Sequence, residues 1–239
     1  MSSKGPGEQQ KEKIRTNRSA FRGRLKAVLF IFLSGAIFFL CAGRLNIGMA
    51  WAYIAMVLVN TVITSLMVDP ELITERSGIK KDAKRWDIFP AILVGLIGPV
   101  VILIVAGLDV RFGWSQQIPF VLQIVALGIA MLGLLVTDWA VISNTFFSAV
   151  VRIQKDRGHT VVSTGPYKYV RHPAYAAMIL YYLMIPVVLS SLWALIPAGL
   201  LVCMTIIRTI FEDRTLQEEL DGYKSYGKRV RYRLLPNIW

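Results

Sequence analysis

Long uncharged apolar runs alternate with short charged segments along this chain. Five runs carry no charged residue: Ala27 to Gly43, Leu45 to Val68, Ile88 to Leu108, Phe112 to Thr137 and Pro173 to Ile207. A helix crossing a hydrocarbon core of about 30 Å needs about 20 apolar residues at about 1.5 Å each. The first four runs suit one crossing apiece, the first with help from Lys26 or Arg44 reaching back to the interface. The fifth would extend about 52 Å as one helix, about 20 Å more than the core requires. Ser190 and Ser191 stand at its midpoint between Pro186 and Pro197, and proline disfavours a straight continuous helix. The pattern therefore predicts a helical hairpin there and six membrane helices in all. One long, kinked helix is the alternative. The expected fold is an all-α polytopic membrane bundle.

The placement of charge supports an even count. With six crossings, 25 of the 27 Lys and Arg residues fall on one side, and only Arg44 and Arg111 on the other. The positive-inside bias makes the basic side cytoplasmic and puts both termini there. The expected home is a prokaryotic cytoplasmic membrane, or endoplasmic reticulum in a eukaryote. Residues 1–24 are expected to be a disordered basic tail, 25–151 a four-helix transmembrane scaffold, and 152–239 the region that carries the chemistry. The segment from Asp69 to Asp87 reads as a charged, partly helical loop. No internal repeat is visible.

Composition narrows the classes. With 55% hydrophobic residues and a mean hydropathy of +0.53, too little polar surface is left for a soluble domain of this length. The net charge of +12 lies between apolar spans, where it orients a membrane protein, so no nucleic-acid partner is expected. The spans hold almost no polar residues near the bilayer midplane, which argues against a transporter. Cys41 and Cys203 lie inside apolar stretches without metal-site or disulfide spacing, and are expected to be buried apolar side chains. No metal is expected. The first apolar run follows a long basic segment without a clear cleavage site, so no cleaved leader is expected either. Asp138 is the one acid in an otherwise apolar stretch, and local pairing at the end of its span is the expected role.

Two segments flank the predicted hairpin. The first, Gln154 to Tyr175, holds both histidines, His159 and His172, and its Gly165-Pro166 and His172-Pro173 steps impose turns. A residue before proline is pushed out of helical geometry, so His172 should start the hairpin near the membrane surface. A polar loop with interfacial aromatics is the plain alternative. The second, Arg208 to Trp239, places Arg208 and Glu212 four apart on one helical face. That pair reads either as an intrahelical ion pair or as a positive charge facing the histidine loop.

Together these segments resemble the isoprenylcysteine carboxyl methyltransferase family, membrane enzymes that methylate prenylated cysteine carboxylates. The likeness is carried by His159 with Val161-Val162, Gly165-Pro166-Tyr167, Arg171-His172-Pro173-x-Tyr175, Arg208-x-x-x-Glu212, and Tyr223-x-x-Tyr226 before a basic run and Leu-Pro. It covers roughly Gln154 to Trp239, while the earlier spans match only in hydrophobicity. Related phospholipid methyltransferases share a similar loop and hairpin.

The resemblance implies S-adenosylmethionine bound at the cytoplasmic face and a lipophilic or lipidated acceptor. It implies cofactor contacts from Gln154, His159, Thr160, Val161, Val162, Tyr167, His172, Pro173, Ala174, Tyr175 and Glu212. Arg208 takes the role of holding the substrate carboxylate, as the residue expected to be catalytic. Asp213 departs from the pattern where many relatives have a second glutamate, and Ala176-Ala177 where relatives often have glycine. Methyl transfer to a carboxylate needs no general base, since the nucleophile is already ionised at neutral pH. That suits a chain without a Ser/His/Asp or Cys/His constellation. A phospholipid amine or another lipid hydroxyl remains the alternative acceptor.

Overall fold

A backbone surrounded by lipid has no water to bond, so apolar spans must satisfy their own N–H and C=O groups as helices. The computed structural model describes residues 6–80 and 82–239, and among these every regular element is helical. The elements are α1 (Pro6–Ala42), α2 (Gly48–Met67), α3 (Pro70–Arg76), α4 (Arg85–Ile92), α5 (Gly98–Phe112), α6 (Phe120–Ser143), α7 (Pro173–Val188), α8 (Leu195–Glu219) and α9 (Tyr223–Arg229). A single π-helical stretch, Leu93–Ile97, joins α4 to α5, so that Arg85–Phe112 forms one continuous span.

Among the described residues, five helices are long and apolar enough to cross a membrane: Lys13–Ala42, Gly48–Met67, Arg85–Phe112, Phe120–Ser143 and Leu195–Glu219. Large side chains such as Leu40, Leu66, Val121 and Leu200 are fully presented on their outer faces. Water would not tolerate so much exposed hydrocarbon, whereas lipid does, and the protein is an integral membrane protein. Phe38, Ile102, Tyr182, Ile185, Val188 and Leu189 are buried where α1, α5 and α7 meet.

The last apolar run folds as a hairpin, α7 returning into α8 through Leu189 to Ala194. The turn falls at the two central serines. Ser190 takes a left-handed φ of 56°, its hydroxyl accepts the Ile118 N–H at 2.8 Å, and the Ser191 hydroxyl donates to Asp109 at 2.6 Å. Asp109 also accepts the Ser115 N–H at 2.7 Å and the Ser115 hydroxyl at 2.6 Å, tying the end of α5 to the hairpin turn. The hairpin makes a sixth apolar helix, but α7 has only 16 residues, or about 24 Å, short of a full span. Its start is fixed by Pro173, and Pro186 falls in its last turn.

Two expectations need correction. Residues 6–24, expected to be disordered, form the first turns of α1. Between Glu8 and Arg22 there is neither proline nor glycine, and once the membrane segment has nucleated a helix, adding residues is cheap. Residues 1–5 lie outside the described residues. The cysteines are not buried: Cys41 is half-buried and Cys203 exposed on the outer face of α8. Asp138 takes the pairing role, accepting Asn60 Nδ2 at 2.9 Å and Thr64 Oγ1 at 2.6 Å, which joins α6 to α2.

The connections gather at two ends. At one end Arg111 stacks over Phe112 beside Gly43, and Trp114 meets Trp193 edge-on at 6.4 Å, an aromatic belt of the kind found at membrane interfaces. At the other end lie the α2–α4 connection, the long α6–α7 loop and the end of α8. These are joined by Arg152–Glu75 (2.7 Å) and Lys84–Glu219 (2.6 Å).

The most extensive helix packing is α6 against α7, and Gly133 permits it: a Cβ there would lie 2.9 Å from the Ala177 carbonyl oxygen. Gly133→Leu is expected to destabilise the bundle by about 1–3 kcal/mol through overpacking. Gly128→Leu, whose Cβ meets nothing within 4 Å, should leave it unchanged. Thermal unfolding of the two variants in one detergent checks this, and equal melting temperatures would remove the packing argument.

Candidate active site

The α6–α7 loop, residues 144–172, contains almost no regular structure, so side chains must hold its shape. Gln154 is fully buried. Its Nε2 donates to the Phe146 carbonyl, its Oε1 accepts from Arg157 at 2.6 Å, and its backbone N–H donates to His159 Nδ1 at 3.2 Å. The imidazole lies against the Phe146 ring, with centroids 4.6 Å apart. Because Nδ1 accepts, the ring proton sits on Nε2, which remains able to donate. Partial burial, reinforced by the Arg152 and Arg157 cations, pushes the His159 pKa down to about 4, so the ring is neutral at ordinary pH. Arg152 is buried and held by Glu75, Asp82 and Asp156 at 2.7, 2.6 and 3.1 Å.

Further along, Gly165 begins a 3-10 turn, Gly165–Lys168, with a left-handed φ of +57°. A Cβ there would also collide with the Ser143 side chain. Both constraints require glycine before Pro166. The turn places buried Tyr167, whose hydroxyl accepts Asn144 Nδ2 at 3.3 Å and whose carbonyl accepts the Tyr226 hydroxyl at 2.8 Å. Burial raises the Tyr167 pKa, so the phenol stays protonated.

His172 is the residue before α7, with φ −127° and ψ 62°, outside helical geometry as its position before proline requires. Its backbone N–H donates to the Arg233 carbonyl and that of Arg171 to the Tyr232 carbonyl, both at 2.9 Å, so the carboxyl-terminal strand of chain lies alongside the loop. The His172 ring stacks on Tyr175 at 5.8 Å, and the Tyr175 hydroxyl donates to Glu212 Oε2 at 2.5 Å. Asp213, with no exposed side-chain surface, gathers the parts. It accepts Arg171 Nε and Nη2 at 2.7 and 2.9 Å, Arg233 Nε at 2.8 Å, the Tyr223 hydroxyl at 2.9 Å and Gln217 Nε2 at 2.8 Å, and His172 Nε2 lies 3.3 Å away. The hairpin thus brings the histidine loop against the Glu212-Asp213 segment.

Between loop and segment lies a cleft partly open to solvent. Its walls include ten of the residues singled out by sequence: His159, Thr160, Val161, Val162, Tyr167, His172, Pro173, Ala174, Tyr175 and Glu212. Gln154 is not among the cleft residues; it braces the loop from behind. Arg208 does not line the cleft either. Its guanidinium pairs with Asp87, Nε to Oδ1 at 2.6 Å and Nη2 to Oδ2 at 2.8 Å, instead of with Glu212. Ala176 and Ala177 are not among the cleft residues. The sequence reading missed Asn144, Phe146, Phe147 and Leu216 on its walls. The Asn-x-Phe-Phe cluster directly after an apolar run was the available signal. It also missed Asp87, which carried no mark beyond being an acid at the head of a span.

The donor set suits a nucleoside bearing a positive charge. Arg171 and Arg152 on the walls are each tied to carboxylates, whereas Glu212 Oε1 has no hydrogen-bond partner among the described residues. Val161, Val162, Phe146 and the tyrosines supply apolar and aromatic faces.

Residues 122–221 match the model of the isoprenylcysteine carboxyl methyltransferase (ICMT) family. No curated protein sequence matches the chain. The match begins earlier than the motifs suggested, taking in nearly all of α6, and ends just before Tyr223, so the tyrosine pair and carboxyl-terminal strand that close the cleft lie beyond it. Those matched residues include every motif from His159 through Glu212 that the structure brings to one cleft, and over that stretch this membrane protein is similar to the isoprenylcysteine carboxyl methyltransferase family, a family of methyltransferases.

Proposed function

We propose that the protein transfers a methyl group from S-adenosylmethionine to the carboxylate of a lipophilic, prenylcysteine-like acceptor at the cytoplasmic face of its membrane. The observation that carries this reading is the single cleft lined by both the histidine loop and Glu212, at the end of the molecule where the basic loops gather. The start of α1, the α2–α4 connection and the α8 end lie on that side, and the positive-inside bias makes it cytoplasmic.

When bound, S-adenosylmethionine supplies a methyl group on a positively charged sulfur. The chain's own residues do the rest. Glu212 offers one free carboxylate oxygen to a hydroxyl or amino group and contributes negative charge beside the cation. His159 presents a neutral Nε2–H donor at the cleft's mouth. Tyr167, Val161 and Val162 provide the apolar surface for a base. Asp213 holds His172 and Tyr175 in line by fixing Arg171 and the tail, which limits motion and excludes water. Arg208, buried behind the Tyr175 ring at 5.3 Å, orients the acceptor carboxylate from the membrane side. A carboxylate needs no base to activate it, and no general base is required of the site.

Calorimetry with S-adenosylmethionine on the purified protein tests the reading. Binding is expected for the parent, with a loss of at least about tenfold in affinity for Glu212→Ala and for His172→Ala, or about 1.4 kcal/mol each. No binding in the parent, or undiminished binding in both variants, would defeat the assignment. Incubation with labelled S-adenosylmethionine, a total lipid extract and a prenylated cysteine identifies the acceptor. Carboxylate methylation should be lost in Arg208→Leu and nearly flat with pH above about 6, whereas an amine acceptor would give activity rising with pH.

His159 generates a pH prediction of definite sign. Its folded pKa of about 4 lies below the unfolded value near 6.5. Its contribution to stability is therefore complete above pH 6.5 and declines as pH falls toward 4. The melting temperature of the parent should drop over that window more than that of His159→Asn, and parallel curves would show that the imidazole is not held neutral.

A further inference from the structure

The carboxylate already held by Arg208 comes from the part of the chain that its sequence marks only as scaffold. Asp87 sits in the first turn of α4, outside the stretch that matches the family, and has no exposed surface. Besides the two bonds from Arg208, its Oδ2 accepts the Val151 N–H at 2.6 Å. Arg208 Nη2 also donates to the Ala149 carbonyl at 2.8 Å. One edge of the guanidinium is thus fixed by α4 and the loop together. The remaining nitrogen, Nη1, has no hydrogen-bond partner among the described residues, and the group lies over the Tyr175 ring, whose hydroxyl reaches Glu212.

We propose that Asp87 is a positioning residue for methyl transfer: it holds Arg208 with one nitrogen free for the acceptor and takes up part of the guanidinium's charge. The inference rests on the carboxylate reading above. A guanidinium free on both edges grips a carboxylate through two charge-assisted bonds. That grip is strongest on the ionised ground state. It weakens as the acceptor loses its negative charge in becoming an ester, and binding that is tighter in the ground state than in the transition state raises the barrier. Sharing the cation with Asp87 leaves a single directed bond that orients the acceptor while holding less of its charge. The same pairing explains how a cation that is only 6% exposed is kept at a membrane boundary. An arginine buried there without a partner would be strongly destabilising.

Asp87→Asn tests the idea, because it keeps the side chain's shape and one acceptor oxygen while releasing the charge of Arg208. With a prenylated cysteine as acceptor, KM is expected to fall about tenfold and kcat to fall about tenfold, while S-adenosylmethionine affinity by calorimetry stays within about twofold. A purely structural Asp87 would instead weaken cofactor binding and lower kcat without lowering KM, and that result overturns the proposal. The double variant Asp87→Asn/Arg208→Gln leaves no buried charge unpaired and provides a second arm that tolerates poor folding of the single variants. It should melt above both of them, whereas a melting temperature lowered by the sum of the two single losses shows that Asp87 and Arg208 are not coupled and overturns the proposal. A parent that binds S-adenosylmethionine yet methylates no carboxylate overturns the acceptor reading and this inference together. A parent that does methylate one, with KM and kcat of Asp87→Asn not moving as stated, overturns the inference alone.

Discussion

A carboxylate without exposed surface is tolerated only where cations and donors replace its lost water, and the catalytic end of this protein is organised around one such group. Asp213 collects Arg171 from the loop, Arg233 from the carboxyl-terminal strand, Tyr223 from α9 and Gln217 from its own helix. Apolar packing adds a small cluster of Leu220, Tyr223 and Tyr226 against Val161, Leu216 and Val230. Removing one partner from such a buried network typically costs about 3–5 kcal/mol. The cleft's shape follows from this pairing, because Arg171 fixes His172 and His172 lies against Tyr175. The chemistry of the site thus depends on an aspartate that does not line it.

The same rule recurs at other junctions. Asp109 secures the hairpin turn with serine hydroxyls and backbone N–H groups alone, and Asp138 joins α6 to α2 through an amide and a hydroxyl. Arg152 fastens the loop to α3 and the α3–α4 connection through Glu75 and Asp82. Apolar packing positions the helices, but lipid gives it little directionality. The polar pairs supply the register, and they cluster at the ends of the spans, where partial solvation lowers their cost.

Much of this was legible from the order of residues. Uncharged runs separated by basic loops gave the spans, since lipid admits few alternatives to helix. The serines at 190 and 191, with their flanking prolines, gave the hairpin, and the two X-Pro steps gave the ends of the loop. The cleft's own lining was readable because its motifs lie in two short segments on either side of that hairpin. What was not readable were partnerships across long separations. Nothing near Asp87 announces Arg208, 121 positions away, and Asp213 looked like a minor departure from its relatives' glutamate although its neighbours converge on it. Gln154 shows the reverse error: motif position suggested a ligand contact, whereas the fold uses its amide to brace the loop. The helical start of α1 was hidden by a polar composition that suits either a tail or the exposed turns of a long helix.

The shortness of α7 bears on how a lipid reaches the cleft. Its far end is fixed beside Trp193 and Trp114 in the aromatic belt, and 16 residues rise only about 24 Å through a core of about 30 Å. On the proposed reading, a helix about 6 Å shorter than the core leaves room for His172 and Tyr175, at its start, to lie at the depth of the first methylenes. A substrate can then present its polar end to the enzyme without withdrawing its tail from the bilayer, which would otherwise cost about 0.8 kcal/mol for every methylene lifted out.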